Sequence, residues 1–459
     1  MSTSPSVRST SIEGLLVVDL PLHGDSRGWF KENWQREKML ALGLPDFGPV
    51  QNNVSYNASA GATRGIHAEP WDKLVSLMTG KAFGAWVDLR PGPNFGTTVT
   101  VDLHPGVAVF VPRGVGNSYQ ALEDGTTYAY LVNEHWRPDV AYTAVALDDP
   151  ALGIDWPIPL ADAEVSDKDR ANPLLADVTP MEPRRALVLG AYGQLGRALR
   201  AMLPEADAVD LDTFDMTDPA AYDAVDWSRY DTVINAAAYT AVDVAETPEG
   251  RIAAWASNAS ALVHLATTAT RHRLTVVHIS SDYVFDGTRE VHDESEPLSP
   301  LGVYGQTKAA GDVVVSTTPR HYVVRTSWVI GDGSNFVRTM ARLAKDGVNP
   351  SVVDDQVGRL TFTTELARGI VHLLETGAPY GTYNLSGGGE PASWYEVARD
   401  VFARCGRDPE DVTPISTEAY GEGKDLAPRP RHSVLDLAKI EATGFVPLPV
   451  SESLDSYLA

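Results

Sequence analysis

Tyr304 and Lys308 stand four positions apart and have the side chains that reduction of a carbonyl group requires. Residues at this spacing project from the same face of a helix, so the ammonium group would lie beside the phenol. A free phenol has a pKa of about 10. We expect the charge of Lys308 to lower that pKa, so that Tyr304 can donate a proton as hydride reaches the carbon. Ser281, at the end of a predicted strand, could hydrogen-bond the same carbonyl oxygen.

A glycine-rich turn earlier in the chain predicts a site for a dinucleotide. Gly190, Gly193 and Gly196 follow the apolar run 186–189 at intervals of three residues. Side chains at the first two positions would keep the backbone from closing tightly or approaching a pyrophosphate. The helix N-terminus beyond offers free N–H groups and a positive dipole end to that anion. We therefore expect NADH or NADPH to bind here.

The elements that must position these residues fall into two groups. Up to about residue 180, short alternating or β-branched runs between turn residues predict an antiparallel sandwich or barrel, with one helix at 32–42. From residue 185 onward, strands alternate with helices, two of them predicted at 251–270 and 305–315, which indicates a parallel sheet wrapped by helices. The proline-containing stretch 172–184 is typical of an extended linker. We therefore expect domains at 1–180 and 184–459.

The composition excludes several classes of function. A formal net charge of −24 argues against broad binding of nucleic acid or of an anionic membrane surface. The single cysteine, Cys405, rules out an intramolecular disulfide and suits a reducing compartment. The sequence has no apolar run of about 18 residues and no secretory signal pattern. We expect a cytoplasmic protein that does not enter a membrane.

Several ordered motifs within residues 11–175 resemble the dTDP-4-dehydrorhamnose 3,5-epimerase family. The residues that carry the resemblance are those at 25–32, 51–55, 63–67, 72–75, 111–114, 154–157 and 166–169. The resemblance implies an all-β cupin-like jelly roll that forms a homodimer. It also implies epimerisation beside the ketone of a dTDP-4-dehydro-6-deoxyhexose.

The residue types suit this chemistry, because epimerisation needs a base that removes a proton and an acid that returns one to the opposite face. His67, with a resting pKa of about 6.5, is suited to be the base. By family resemblance, Asp169 orients the imidazole and Tyr130 is the acid. The residues expected to bind the substrate are Arg27, Phe30, Glu32, Gln51, Asn53, Arg64, Lys73, Asn117 and Trp136.

The first unit departs from the family pattern at Asn117, where a second histidine is usual, and at Trp136, where a tyrosine is usual. An amide donates a hydrogen bond, but it does not donate a proton at a useful rate. One alternative is therefore that this unit is a degenerate binding or dimerisation domain.

Nearly the whole second unit resembles dTDP-4-dehydrorhamnose reductase, an extended short-chain dehydrogenase/reductase. The residues that carry the resemblance are those at 190–196, 235–243, 282–287, 325–328, 355–358 and 429–430. The resemblance implies an α/β Rossmann-type doubly wound parallel sheet. The expected substrate residues are Asp282, Trp328, Gln356 and Arg429. The expected coenzyme residues are Gly190, Tyr192, Gly193, Gln194, Leu195, Gly196, Asp215, Asn235, Ala236, Ala237, Tyr239, Tyr304 and Lys308.

Two properties of the reductase vary within the family. Some members bind magnesium through a glutamate just after the last glycine of the turn. Because Arg197 and Ala198 stand there, we expect no metal. Asp210 or Asp212 could hold a ribose 2′-hydroxyl and favour NADH, but the choice between NADH and NADPH stays open.

The two resemblances fit together, because the product of the epimerase is the substrate of the reductase. They predict a bifunctional enzyme that converts dTDP-4-dehydro-6-deoxy-D-glucose to dTDP-L-rhamnose. The alternatives are a reductase with a degenerate first domain and the same chemistry on another nucleotide-linked deoxysugar.

Overall fold

A computed structural model describes residues 4–136 and 142–459 of the chain. The chain divides into two compact units, Met1–Pro183 and Arg184–Ala459, and each has its own apolar core. Residues 173–183 do not form the free extended linker that their prolines predict. Met181 is buried against Ile66 and Leu89, and its N–H donates to the carbonyl of Leu89. The apolar residues of this stretch therefore hold it against the first unit.

The first unit consists almost entirely of short strands. Its strands are β1 Ser6–Ser9, β2 Leu16–Asp19, β3 His23–Asp25, β4 Gly28–Phe30, β5 Gln51–Asn57, β6 Ala62–Ala68, β7 Lys73–Thr79, β8 Ala82–Asp88, β9 Thr98–Leu103, β10 Val107–Val111, β11 Val115–Ala121, β12 Thr126–Val132, β13 Thr143–Ala144 and β14 Glu164–Val165. Its helices are α1 Arg36–Ala41 and α2 Asp167–Arg170. Helix α1 is shorter than predicted because Gln35 caps its first turn by accepting from the N–H of Lys38.

Apart from the β3–β4 hairpin, the strands form two sheets that pack face to face, as the alternating pattern predicts. One sheet has the order β1-β2-β10-β7-β12-β5 and the other has the order β13-β6-β11-β8-β9, with β14 beside β6. Strands β5 to β8 alternate between the two sheets, a wiring that jelly rolls share. Apolar side chains of both sheets meet between them, among them Val75 and Val109 from one and Trp86 and Leu103 from the other.

The second unit alternates strands and helices along the chain. Its strands are β15 Arg185–Leu189, β16 Asp207–Val209, β17 Tyr230–Asn235, β18 Thr275–Ser281, β19 His321–Thr326, β20 Val329–Ile330, β21 Ser351–Val353, β22 Val357–Gly358, β23 Thr361–Phe362, β24 Gly381–Asn384, β25 Ala392–Ser393 and β26 Thr413–Ile415. Its helices are α3 Gln194–Met202, α4 Pro219–Asp223, α5 Pro248–Trp255, α6 Ala261–His272, α7 Val303–Val315, α8 Phe336–Asp346, α9 Thr363–Glu375, α10 Trp394–Arg404, α11 Thr417–Gly421, α12 Ala438–Glu441 and α13 Val450–Leu458.

Six parallel strands form the main sheet in the order β16-β15-β17-β18-β19-β24. Successive residues of a strand are buried on opposite faces: Val233 and Val276 belong to one apolar cluster, and Ile234 and Val277 belong to the other. The sheet is therefore covered by helices on both faces, as predicted for a doubly wound fold. In such sheets ligands bind at the carboxyl ends of the strands.

The helix predicted at 251–270 is interrupted in the structure. Helix α5 ends at Trp255, a π-helical turn spans Ala256–Ser260, and α6 continues from Ala261 to His272. Such turns are frequent at functional sites. Among the residues that the structure describes, no helix is long and apolar enough to cross a membrane.

Candidate active sites

The turn between β15 and α3 needs a glycine at each of its three positions for a different physical reason. Gly190 has a φ of +77°, and a Cβ there would lie 2.7 Å from the backbone N of Ala237. A Cβ on Gly196 would lie 2.0 Å from the carbonyl oxygen of Gly190, so this glycine allows the helix to pack on the turn. Gly193 caps α3, and a Cβ added there would meet only the Gly190 oxygen, at 3.2 Å. The turn is thus closely packed on its inner side, and Gly193 leaves room beside the helix N-terminus for a pyrophosphate.

A cavity of about 440 Å³ adjoins the outer side of this turn. The predicted coenzyme residues that line it are Gly190, Gly193, Asp215, Ala236, Ala237 and Tyr239. Asp210 also lines it, and its carboxylate accepts hydrogen bonds from the N–H groups of Tyr192 (2.7 Å) and Leu211 (2.8 Å). Asp210 therefore fixes the glycine-rich turn as well as facing the cavity, whereas Asp212 and Tyr192 are not among the lining residues.

A second cavity, of about 580 Å³, shares Gly193 and Ala236 with the first. Its lining brings together three kinds of predicted residue: the catalytic Ser281, Tyr304 and Lys308, the coenzyme residues Gln194 and Leu195, and the substrate residues Asp282 and Trp328. The two adjoining cavities provide an elongated space at the carboxyl ends of β15, β17 and β18. This space fits a dinucleotide with a second ligand at one end.

Tyr304 and Lys308 lie on α7, but the lysine does not act as the sequence predicts. Burial raises the pKa of Tyr304 to about 12; the Asp282 charge adds to the rise and a hydrogen bond with Ser281 opposes it. The ammonium of Lys308 instead donates to the carbonyl of Ile279 (2.6 Å). The expected lowering of the Tyr304 pKa by Lys308 is therefore wrong for this structure. The phenol remains protonated, which is the form that donates a proton.

Ser281 and Asp282 form the other side of this site at the end of β18. The hydroxyl of Ser281 donates to Oδ1 of Asp282 (3.0 Å) and accepts from the N–H of Tyr283 (3.2 Å). Burial raises the pKa of Asp282 to about 6, and hydrogen bonds from Ser433 and Ser281 oppose the rise. The hydroxyl of Ser281 thus lies beside Tyr304, and it must turn its hydrogen away from Asp282 to donate to a ligand.

Two buried asparagines support the loop after β17. Asn235 is behind the loop, where its Oδ1 accepts from the N–H of Ala237 (3.2 Å), and it does not line either cavity. Asn258 was not predicted. From the π-helical turn it accepts from the N–H of Tyr239 (2.9 Å) and donates to the carbonyl of Tyr239 (3.0 Å) and to Thr307 (3.1 Å). The sequence signal that could have identified Asn258 is the presence of an asparagine within a helical pattern, because its side chain competes for backbone partners.

The far end of the second cavity is aromatic. Trp328 has a φ of +45°, a conformation that costs free energy for a residue with a side chain and that is often found at functional sites. Its ring stacks on that of Trp394, with 3.7 Å between centroids. Both rings line the cavity, and Trp394 was not predicted from the sequence.

Two predicted substrate residues lie outside this lining. Arg429 donates to both carboxylate oxygens of Asp243 (2.8 and 2.9 Å), and its charge acts on Tyr283, which does line the cavity. Gln356 is buried and donates to the hydroxyl of Thr417 (3.0 Å). The structure thus places Arg429 beside the cavity, whereas it gives Gln356 a partner elsewhere.

In the first unit, His67 on β6 pairs with Asp169 on α2. The distance from Nε2 of His67 to Oδ1 of Asp169 is 2.7 Å, and the N–H of Asp169 is capped by Ser166. Because a carboxylate only accepts, Nε2 must carry the hydrogen, and the lone pair of Nδ1 remains available. Burial lowers the pKa of His67, and Asp169 opposes this fall. The result is a neutral, oriented imidazole that can accept a proton.

Tyr130 and two cations lie near this imidazole. The ammonium of Lys73 is 5.4 Å from the centre of the Tyr130 ring, and its charge acts on His67. Burial raises the pKa of Tyr130, while a hydrogen bond with Asn53 and the charge of Arg64 oppose the rise. Lys73 is therefore common to the surroundings of the phenol and of the imidazole, and Arg64 acts on the phenol.

Burial and ion pairing act in opposite directions on Lys73. Burial lowers its pKa to about 7. The ammonium also forms an ion pair with the carboxylate of Glu69, which favours the charged form. We treat Lys73 as charged, because the carboxylate is in direct contact with it.

Asn117 on β11 is directly opposite His67 on β6 and Trp86 on β8. Its Oδ1 accepts from Nε1 of Trp86 (2.9 Å) and from the hydroxyl of Tyr128 (2.9 Å). An indole N–H can only donate, so the amide oxygen must face the core. The amide nitrogen therefore faces away from those two donors.

The other residues predicted to bind the epimerase substrate form two groups. Gln51 donates to Asn53 (2.9 Å) and accepts from the N–H of Trp136 (3.1 Å), so these three are neighbours. Arg27 and Phe30 are exposed on the hairpin of β3 and β4, and Glu32 pairs with Lys38 (2.9 Å). The structure of the single chain leaves this second group on the surface.

Fold and site together define the class of each unit. The second unit has the dinucleotide turn, the Tyr–Lys pair and the serine of a short-chain dehydrogenase/reductase. The first unit is a two-sheet β sandwich with a histidine–carboxylate pair and a tyrosine on its sheets, an arrangement suited to proton transfer.

Comparisons with known proteins identify the families. The family model "RmlD substrate binding domain" matches residues 184–459, and the model "dTDP-4-dehydrorhamnose 3,5-epimerase" matches residues 9–177. The chain belongs to both families, one in each unit.

Individual relatives agree with this assignment. The "Protein RmlC homolog" of Streptococcus pyogenes is 49% identical over 180 residues, which are 38% of this chain and 90% of the relative. The dTDP-4-dehydrorhamnose reductase of Aggregatibacter actinomycetemcomitans is 37% identical over 274 residues, which are 56% of this chain and 92% of the relative. The crystal structure of dTDP-4-dehydrorhamnose reductase from Bacillus anthracis in complex with NADP is 35% identical, with a TM-score of 0.55, and the match covers 60% of this chain and 98% of that one.

Proposed function

We propose that this chain catalyses two consecutive reactions on one nucleotide-linked sugar. The first unit epimerises dTDP-4-dehydro-6-deoxy-D-glucose at C3 and C5. The second unit reduces the ketone at C4 with NADH or NADPH, which yields dTDP-L-rhamnose. The observation that carries the proposal is that each unit gathers a complete set of groups for its own reaction, His67 with Asp169 and Tyr130 in one and Tyr304 with Ser281 and Lys308 in the other.

In the first unit, Nδ1 of His67 takes the proton from the carbon beside the ketone. The electron pair of the broken C–H bond moves to the carbonyl oxygen, where the charges of Lys73 and Arg64 stabilise the enolate. The hydroxyl of Tyr130 then donates a proton to the opposite face of the carbon. Asp169 stabilises the imidazolium that forms meanwhile, because its carboxylate contacts Nε2 at 2.7 Å. Before the step repeats at the second carbon, the imidazolium releases its proton to solvent and the Tyr130 phenolate takes one back, and the second round completes the inversion of both centres.

In the second unit, the glycine-rich turn and the start of α3 would hold the pyrophosphate of the coenzyme, and Lys308 would hold its ribose. When bound, the coenzyme supplies the hydride that reaches C4. Tyr304 donates its proton to the carbonyl oxygen, and Ser281 holds that oxygen by a hydrogen bond. Asp282, Trp328 and Arg429 would contact the sugar or the nucleotide.

The first unit also carries a surface suited to a second copy of the chain. Strand β5 is at the edge of its sheet, and its residues Val54 and Tyr56 are 62% and 67% exposed. An exposed edge with apolar side chains is normally covered in a native protein. We propose a homodimer through this unit, which the mass of the purified chain in solution would test.

Three forms of the chain test the bifunctional proposal: the wild type, His67→Ala and Tyr304→Phe. With dTDP-4-dehydro-6-deoxy-D-glucose, we expect NADPH oxidation by the wild type only. An equimolar mixture of the two variants should recover activity, because each retains one intact unit. If Tyr304→Phe mixed with a separate reductase gives no rhamnose product, the first unit is a binding or dimerisation domain instead. If the wild type oxidises no NADPH even with a separate epimerase, the sugar or nucleotide is a different one.

A further inference from the structure

Helix α7 carries a third ionisable side chain on the face that holds the reductase pair. Tyr304, Lys308 and Asp312 follow one another at intervals of four residues, so they form one line along the helix. Lys308 and Asp312 are each only 2% exposed. Asp312 does not line either cavity, so it does not contact a ligand there.

The groups around Asp312 come from two neighbouring strands. From β19, Nε of Arg325, a residue only 5% exposed, donates to Oδ2 of Asp312 (3.0 Å). From β18, the polar side chain of Ser280 lowers the pKa of Asp312. The Lys308 ammonium lowers the same pKa, whereas burial raises it most. The carboxylate thus lies between two buried cations.

Among the residues that the structure describes, Asp312 is the charge that favours the protonated form of Lys308. Its ammonium donates to the carbonyl of Ile279, and burial lowers its pKa to about 8, with Asp312 as the group that opposes the fall. His278 on β18 is fully buried, and both burial and the Lys308 charge hold its pKa well below the ordinary value. His278 is therefore neutral and gives Lys308 no compensation.

We propose that Asp312 is a positioning residue of the reductase, which keeps Lys308 charged so that it can hold the coenzyme ribose at and above neutral pH. The inference rests on the proposed function of Lys308. Asp312 acts through Lys308 alone and touches neither coenzyme nor sugar. Without its carboxylate, Lys308 would face the charge of Arg325 and a neutral imidazole, and its ammonium would lose its proton at a lower pH.

The test is NADPH binding to the full-length chain, followed by coenzyme fluorescence from pH 6 to pH 9. For Asp312→Asn, we expect the loss of affinity at high pH to begin at least about one pH unit lower than in the wild type. At pH 9, above both pKa values, this corresponds to affinity about tenfold weaker, with near-wild-type affinity at pH 6. Asp312→Glu should restore the wild-type profile, because it restores the charge. Asp346→Asn, which breaks an exposed Arg342–Asp346 pair on α8, is the matched control and should change nothing.

A second variant separates this role from structural support. Asp312→Asn leaves the charge of Arg325 buried and unpaired, which destabilises a fold. The double variant Asp312→Asn with Arg325→Gln removes both charges. We expect the pH at which its NADPH affinity falls to be lower than in the wild type, but by less than in Asp312→Asn alone. A pH profile equal to that of the wild type in these variants would overturn the inference. Absence of NADPH binding by the wild type would instead contradict the proposed function of the second unit.

Discussion

The two units each present a side chain that transfers a proton, but they surround it differently. In the first unit, the side chain of His67 is 31% exposed and touches its carboxylate partner directly. In the second unit, Tyr304 hydrogen-bonds the neutral Ser281, and the charges of Lys308, Asp312 and Arg325 are buried on α7 and β19. Burial favours the neutral form in both units, so the base is deprotonated and the acid is protonated. The difference lies in which neighbours orient the group.

Because the two proton-transfer groups have different neighbours, mutations in the two units should have different effects. A change near His67 should alter the epimerase through one short hydrogen bond, largely independently of pH. A change behind Tyr304 should alter the reductase through the charge of Lys308, and therefore with a strong dependence on pH. The first two of the following experiments separate the two units by measuring both reactions on one variant.

The largest effect is expected for Tyr304→Phe. Removal of the phenol hydroxyl removes the proton donor, and the reductase rate should fall by about a thousandfold or more. Exchange of substrate hydrogen with D₂O, which reports on the first unit, should stay at the wild-type rate. A reductase rate above about a tenth of the wild-type value would contradict the assigned role.

The corresponding change in the first unit is Asp169→Asn. An amide can donate a hydrogen bond to Nε2, which favours the wrong tautomer of His67, and the exchange rate should fall about a thousandfold. Asp167→Asn, on the same short helix and exposed, is the control and should leave exchange unchanged. Reduction of substrate that has already been epimerised should be normal in both variants. Equal exchange rates in the two variants would refute the pairing.

The sequence predicted both folds and the candidate reductase residues from local patterns, whereas the pairing of Asp169 with the distant His67 came only from the family resemblance. The glycine spacing, the Tyr304–Lys308 spacing and the alternating strands depend on residues close in the chain. The sequence did not predict Asn258 or Trp394, because each acts on a residue more than ten positions away in the chain. It also gave the wrong direction for the pKa of Tyr304, since that depends on where the Lys308 ammonium points and on how deeply the phenol is buried.

A smaller effect is expected at Asn117, where the first unit departs from its family. Asn117→Ala removes an amide that faces the His67 side of the sheet, and the exchange rate should fall about tenfold. The substitution also leaves Nε1 of Trp86 without its acceptor, so the melting temperature must be measured alongside the rate. An unchanged exchange rate in a stably folded variant would mean that the amide serves the core alone.

The smallest effect concerns pH. Burial lowers the pKa of His67 below its ordinary value, so the imidazole stays neutral as the pH falls to that lowered pKa. The pH at which exchange catalysed by the first unit falls to half its maximum should therefore lie below 6.5. Initial exchange rates measured between pH 4.5 and 8 would show where this acidic decline begins. A half-maximum above pH 6.5 would show that Asp169 outweighs burial.

The central claim is that one chain performs both reactions, and isotope analysis of its product tests this most directly. The wild-type chain is supplied with dTDP-4-dehydro-6-deoxy-D-glucose and NADPH in D₂O, and the sugar product is analysed by mass and by NMR. We predict a rhamnose product with deuterium at both C3 and C5 and with hydrogen from NADPH at C4. A reduced sugar without deuterium at C3 and C5 would contradict the account, because the first unit would then take no part in the reaction.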